Sequence, residues 1–419
     1  MRSKLPPTII TSLIVVLILA LAACAPAAAP DVVTPEPHQP APTVPPQPTG
    51  APTAPPAPTS EPTPSAQPSP STPAGGADQP AAQPSAQAGA SIHRIQMFDL
   101  QTGWGANETA LYRTTDGGQN WIAATPAALS GQNAPIEPFF FSAQTNWVTI
   151  VDAQNQDQGT LYRTTDAGQT WQTSPVPFSM GSAQLLADGQ HGFFLAGRGV
   201  AAGSEAVDLF ATADGGATWT LVYHLDPAKP DDPNGILFGG IKNGPEFADP
   251  QHGWIGGFEP AEAFSYLYST ADGGKTWKQV NLTIPAGLEH SQMSVQAPHF
   301  FDPQNGILAV VFFEQTASLV FYTTQDGGAT WTPGAPVPSN GLISIPTPTD
   351  IKVWGDGPFY SSADAGKSWQ SLTPNPNISQ TIAGLDFVDA QNGWSISADA
   401  NGVYRLYRTR DGGATWNPF

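Results

Sequence analysis

The chain has 419 residues, with 45 prolines, 42 glycines, 12% charged residues and a formal charge of −19 from 34 Asp and Glu against 15 Lys and Arg. So acidic a chain excludes nucleic acid and anionic lipid surfaces as principal partners, since both repel it. Cys24 is the only cysteine, which excludes an internal disulfide and any cysteine-based metal site.

In chain order, the first element is a targeting segment. Arg2 and Lys4 give a positive start, and Ile9 to Leu21 form an apolar run too short to favour a transmembrane helix. The run ends in Leu21-Ala22-Ala23-Cys24, which resembles the lipobox of bacterial lipoproteins. That resemblance implies cleavage before Cys24, lipidation of its thiol and an anchor on the extracytoplasmic side of the cell envelope. Residues 1–24 are therefore expected to be a lipoprotein signal peptide. Residues 25–90 are Pro, Ala, Thr, Ser, Gln and Gly, with almost no large apolar side chains. Such a composition cannot bury enough surface to offset the entropy of ordering, so a disordered Pro-rich tether is expected. At roughly 3.1 Å per extended residue it reaches on the order of 200 Å.

From residue 91 onward one motif recurs seven times, as Ser/Thr-x-Asp-x-Gly-x-Ser/Thr-Trp with Asn120 in the seventh place of the first copy. Its aspartates are Asp116, Asp166, Asp214, Asp272, Asp326, Asp364 and Asp411, and its tryptophans are Trp121, Trp171, Trp219, Trp277, Trp331, Trp369 and Trp416. The aspartates lie 50, 48, 58, 54, 38 and 47 residues apart, a period that signals a repeat architecture. Each copy follows a β-like run such as Leu111-Tyr112-Arg113 or Phe321-Tyr322-Thr323. Asp-Gly and Gly-Gly at the corner read as a hairpin turn, because glycine enters positive φ without steric cost. The Asp carboxylate and Ser/Thr hydroxyl can satisfy the N–H groups of their own turn. The Trp then opens the next strand and offers a large face to bury.

A second element precedes each corner. Its clearest copies run from Met97 to Trp104, Phe247 to Trp254, Phe300 to Ile307 and Phe387 to Trp394, with weaker ones at 140–147, 186–193 and 349–354. Each reads as strand, tight turn, strand. One unit then holds four short strands, and seven such units predict an all-β fold, a seven-bladed β-propeller over residues 91–419. The pattern resembles the Asp-box (bacterial neuraminidase repeat) propellers. Within them it is most similar to the photosystem II assembly and stability factor family, whose repeats share the cadence F-x-D-x-x-x-G-W … T-x-D-G-G-x-T-W. The resemblance covers about residues 91 to 419 and implies chaperone-like engagement of a membrane or surface protein. Family members bind through a basic patch, which this acidic chain does not supply, so a photosynthetic role is not expected.

Asp-box propellers include sialidases, which need an arginine cluster to clamp a carboxylate. Beyond the leader there are seven arginines, and Arg113, Arg163 and Arg408 share one repeat position, read as decoration on an outer strand. Arg410 lies inside a corner, and Arg94-Ile95-Gln96 lacks the Pro of the sialidase Arg-Ile-Pro motif. Glu246, Glu259, Glu262, Glu289 and Glu314 could supply a glycosidase carboxylate pair only if two converge. His191 and His252 fall at equivalent turn positions, and His93, His224, His290 and His299 have no ligand-like spacing. No catalytic residue, metal or cofactor is expected. The long intervals carry insertions at Asp226 to Lys242 and Pro285 to Pro298, with Phe258, Phe264 and Tyr266 nearby, and insertions of this kind gather on binding faces. The sequence thus points to a lipid-anchored binding or assembly-scaffold module for a protein partner at the cell surface. A glycan-binding or glycan-cleaving propeller, with polysaccharide as ligand, is the alternative.

Overall fold

The computed structural model describes residues 91–419, except Asn133, Asp231, Asp356, Ala400 and Phe419, together with the backbone of Ala86–Gln87. The expected signal peptide, Cys24 and nearly all of the expected tether lie outside the described residues.

The fold is all-β, built of consecutive antiparallel four-stranded units, each from contiguous sequence. The first sheet holds Arg94–Met97, Gly103–Ala106, Leu111–Thr114 and Trp121–Ala123. The second holds Glu137–Phe140, Asn146–Val151, Gly159–Thr164 and Gln172–Val176. The third holds Gly181–Leu185, Gly192–Ala201, Ser204–Thr212 and Thr220–His224. The fourth and fifth units are joined: Gln292–Val295 pairs on one side with Gly253–Glu262 and on the other with Gly306–Phe313, giving one nine-stranded sheet. Gly256 permits this approach, because a Cβ there would run into the Val295 carbonyl. The sixth unit holds Leu342–Ser344, Ile351–Trp354, Phe359–Ser362 and Gln370–Leu372, and the seventh Ile382–Phe387, Gly393–Ala398, Tyr404–Thr409 and Asn417–Pro418.

Two kinds of turn meet at one end of every unit. The first-to-second-strand turn is closed by an aspartate in most units: Asp99 accepts the N–H groups of Gln101 and Thr102, and Asp389 those of Gln391 and Asn392. The motif corner joins the third and fourth strands and hydrogen-bonds to that first turn. Gly117 N–H donates to Gln101 O at 2.8 Å, and the same bond recurs from Ala167, Gly215, Gly273, Gly327, Ala365 and Gly412. The two sequence elements are therefore halves of one corner end. The hairpins between second and third strands, and the links to the next unit, lie at the opposite end.

The core runs between units. The third and fourth share Phe193, Leu209, Phe247, Ile255 and Trp277, while the sixth and seventh share Trp354, Phe359, Phe387 and Trp416. The first and last units also close on each other. Tyr112 and Trp121 pack with Ile396, Met97 N–H donates to Asp386, and Trp394 Nε1 donates to Gly117 O at 2.9 Å. Among the described residues no strand is exchanged for this closure. Ala86–Gln87 instead adds a fifth strand to the outer edge of the first sheet.

Candidate functional site

All seven corner aspartates are committed to their own turns. In the fourth unit Asp272 accepts Thr276 N–H at 2.9 Å, Thr276 Oγ1 at 2.7 Å and Thr270 Oγ1 at 2.8 Å, while Thr270 Oγ1 accepts Gly274 N–H at 3.0 Å. The other six corners repeat this bonding, and in the first the Asn120 amide donates where a hydroxyl stands elsewhere. Burial works against ionisation at Asp214 and Asp272, but these hydrogen bonds outweigh it and hold both carboxyls at about 2. The corner tryptophans Trp121, Trp277, Trp331 and Trp416 are buried, and Trp171, Trp219 and Trp369 are partly so. This set is structural bonding, with no free carboxylate to offer a ligand.

A different relationship shapes the corner end. The second-strand tryptophan of one unit lies against the second corner glycine of the next: Trp104 on Gly168, Trp147 on Gly216, Trp254 on Gly328 and Trp394 on Gly118. In the first, second and seventh units an arginine on the third strand pairs with that tryptophan, as Arg113–Trp104, Arg163–Trp147 and Arg408–Trp394. Arg408 stacks 4.7 Å from the Trp394 ring centroid and donates to Leu100 O, and Arg163 donates to Gly215 O. These arginines therefore stand on the third of four strands, not on the outermost; Arg408 covers an indole, and Arg163 and Arg408 reach the next unit's corner end. In the fourth unit Ser269 faces Trp254, and in the fifth Thr323 faces Ile307. At these two places the corner end opens. A groove of about 300 Å³ lies beside Trp254, Ser269 and Lys278, and one of about 400 Å³ beside Ile307, Thr323 and Lys367.

Of the insertion expected to form a binding loop, residues 227–230 and 232–234 are exposed, while Gly235, Ile236, Gly240 and Lys242 are packed into the fold. Leu225 and Ile236 are buried in the core shared by the third and fourth units. Lys242 is buried, and its Nζ donates to the carbonyls of Glu205, Phe238, Gly239 and Gly240 at 2.6 to 3.0 Å. Burial lowers the Lys242 ammonium to about 8 despite nearby Glu205 and Glu259. Tyr266 is fully buried, with its hydroxyl on Leu237 O, so it is no surface patch residue. The sequence hid this because a lysine in a Gly- and Pro-rich insertion reads as a solvated loop cation.

Three of the five glutamates gather about residues 287–291, and two lie elsewhere. Glu262 lies 3.5 Å from His290, Glu314 accepts Ser291 Oγ, Glu289 accepts Gly287 N–H, Glu259 abuts Gly239 and Gly240, and Glu246 sits on the innermost strand. Glu246 belongs to a register position that the units share, opposite the second residue of each second strand: Gln96, Phe139, Gln184, Glu246, His299, Ser344 and Asp386. Gln184, Ser344 and Asp386 each accept the innermost N–H of the next unit, from Phe247, Phe387 and Met97. Burial pushes Glu246 up to about 8. It also pushes Asp386 up to about 7, against the Met97 hydrogen bond. His191 and His252 close turns on Asp188 and Asp249, where Asn305 and Asn392 close the turns of Asp302 and Asp389. Among the described residues no group of three metal-ligating side chains comes together.

The sequence matches no family model, and no curated protein matches it. Solved structures do resemble it. A structure of YCF48 bound to D1 peptide shares 17% identity over 79% of this chain and 93% of that one, with a TM-score of 0.47. The GH74 xyloglucanase of Xanthomonas campestris shares 14% over 80% of this chain, at a TM-score of 0.54, and this chain spans 55% of the enzyme's length. An oligogalacturonate lyase of Vibrio parahaemolyticus shares 11% over 78% of this chain and 90% of that one, at 0.51. At such identities the likeness is one of fold, and the protein has the propeller-like, all-β architecture of the xyloglucanase and the lyase.

Proposed function

We propose that this protein is a cell-surface lipoprotein in which a seven-bladed Asp-box β-propeller, held on a Pro-rich tether behind lipidated Cys24, acts as a non-catalytic binding or assembly scaffold for a protein partner. The seven four-stranded units serve as blades and the motif corners as Asp-box turns. The observation that carries the reading is the contrast between filled and open interfaces at the corner end. Where Trp and Arg pair, the chain fills its own surface; beside Ile307 and Ser269 it leaves grooves with a cation at the rim.

The test is a turnover panel. The full chain in detergent is incubated with neutral and uronate-containing polysaccharides, and new reducing ends and unsaturated products are measured. The expected result is neither product. Turnover that disappears on Glu246→Gln or Glu262→Gln would replace the scaffold reading with the glycan-cleaving one. Mass spectrometry of the protein from its native membranes tests the anchor: a lipid-modified N-terminal Cys24 is expected, and an unmodified, uncleaved leader would overturn it.

A further inference from the structure

At the corner-end interfaces that follow the first, second and seventh units, an indole stands against the next unit's corner with an arginine in register beside it, and in the seventh Arg408 lies over the ring. The interface between the fifth and sixth units lacks both, since Ile307 and Thr323 occupy the two positions. The resulting groove of about 400 Å³ has an apolar floor of Ile307, Phe301 and Ala365. Its rim carries Lys367, which is exposed and holds no ion pair among the described residues, whereas Asp364 beside it is taken up by Ser362 and Ser368. At the equivalent place in the seventh unit, Trp394 Nε1 donates to Gly117 O, and the residue matching Gly117 here is Ala365.

We infer that this groove takes an aromatic side chain of a protein partner, seated where the chain's own tryptophans stand elsewhere, with an acidic residue beside it that meets Lys367. The inference rests on the scaffold reading and specifies its ligand. The floor offers burial to a ring, and the Ala365 carbonyl is the counterpart of the acceptor that Trp394 uses. The Lys367 ammonium can lie over the ring as Arg408 lies over Trp394, and cations over aromatic faces attract. The same ammonium complements a neighbouring carboxylate. A second arginine from outside is disfavoured by this cation.

The probe is Ac-Gly-Trp-Asp-Gly-NH2 carrying 5-fluorotryptophan, titrated into the full chain in detergent and followed by fluorine NMR. Saturable broadening is expected with the native protein. Ile307→Trp with Thr323→Arg restores the pair found in other units, and at least tenfold weaker binding is expected, with a melting temperature no lower than native. Should that double variant fail to fold, Thr323→Arg alone, on a partly exposed strand position, gives the same comparison. Lys367→Ala is expected to weaken binding about threefold or more. Binding unchanged by refilling the groove, or no saturable binding at all, overturns the inference. Capture of a native protein partner undiminished by the refilled groove overturns the inference while leaving the scaffold reading standing. Failure to capture any partner removes the scaffold reading itself.

Discussion

Asp386 Oδ2 accepts the backbone N–H of Met97 at 2.5 Å, a hydrogen bond between the innermost strands of the last and first units that spans 289 positions of sequence. Gln96 Nε2 lies 3.4 Å from the other carboxylate oxygen. With Trp394 on Gly117 O, these bonds tie the last unit of the repeat array to the first.

The latch has a pH dependence of definite sign. Burial lifts the Asp386 carboxyl to about 7, above its ordinary 3.8. The native state therefore holds a proton that the unfolded chain releases, and stability declines as pH rises from about 4 through 7. Asp386→Asn keeps an acceptor for Met97 but cannot ionise. Urea unfolding at pH 5 and pH 8 is expected to show the variant gaining on the native protein by a few kcal/mol at the higher pH, on the scale of about 1.4 kcal/mol per pKa unit. Asp386→Ala leaves the N–H unpaired and is expected to cost about 1–3 kcal/mol at pH 5, and less at pH 8, where the native carboxyl has given up its proton.

The corners dominate the acid limb. The seven Asp-x-Gly carboxyls lie below their ordinary value because their hydrogen bonds favour the charged form, even where burial opposes it. Their contribution is complete above about pH 4 and is lost as pH falls toward 2. Circular dichroism through that range is expected to show a steep loss of structure. Asp272→Ala, which removes four hydrogen bonds, is expected to lower stability at neutral pH by about 1–3 kcal/mol.

Two adjacent glycines in one corner are expected to behave differently. Gly327 and Gly328 both have positive φ, 67° and 81°. Ala167 and Ala365 already occupy the first of these positions in other units, at φ 60° and 59°. A Cβ at Gly327 would stand 2.9 Å from the Pro303 carbonyl, so Gly327→Ala is expected to cost about 1–2 kcal/mol. A Cβ at Gly328 would stand 2.5 Å from Trp254 Cζ2, a buried side chain with no room to move. Gly328→Ala is expected to cost about 2–4 kcal/mol from the combined strain and overpacking. Thermal melting of the two variants checks the order.

Lys242→Met tests the buried cation. The ammonium satisfies four carbonyls, and Glu205 and Glu259 are close enough to favour its charge. Removing it leaves both carboxylates without their cation, and a loss of about 3–5 kcal/mol is expected in chemical denaturation. A loss under 1 kcal/mol would mean that the insertion is held by buried Ile236 and by the Tyr223 and Tyr266 hydroxyls without help from the cation.

What the sequence made legible was local. The corner chemistry is contained within eight residues, and the strand-turn-strand element within eight more, so both could be read along the chain and placed in four-stranded units. The relationships that shape the candidate site are not local. The cover of Trp394 by Arg408 depends on strand register, and its contact with the first unit's corner depends on closure of the array. The recurring arginine was visible as Arg113, Arg163 and Arg408. Its replacement by Ala211, Ser269, Thr323 and Ser361 in the other units acquires meaning only when the facing residue is known. The joining of the fourth and fifth units through Gln292–Val295 was hidden for a related reason, since that strand lies inside a stretch that reads as a Pro-bounded loop.

The most direct measurement is a cross-linked co-purification of the full chain from the membranes of the organism that carries it, with the cross-linked residues mapped by mass spectrometry. The scaffold account expects one dominant protein, cross-linked at the corner end near Lys275, Lys278 and Lys367. No protein above background, or cross-links scattered evenly over all units, would contradict it.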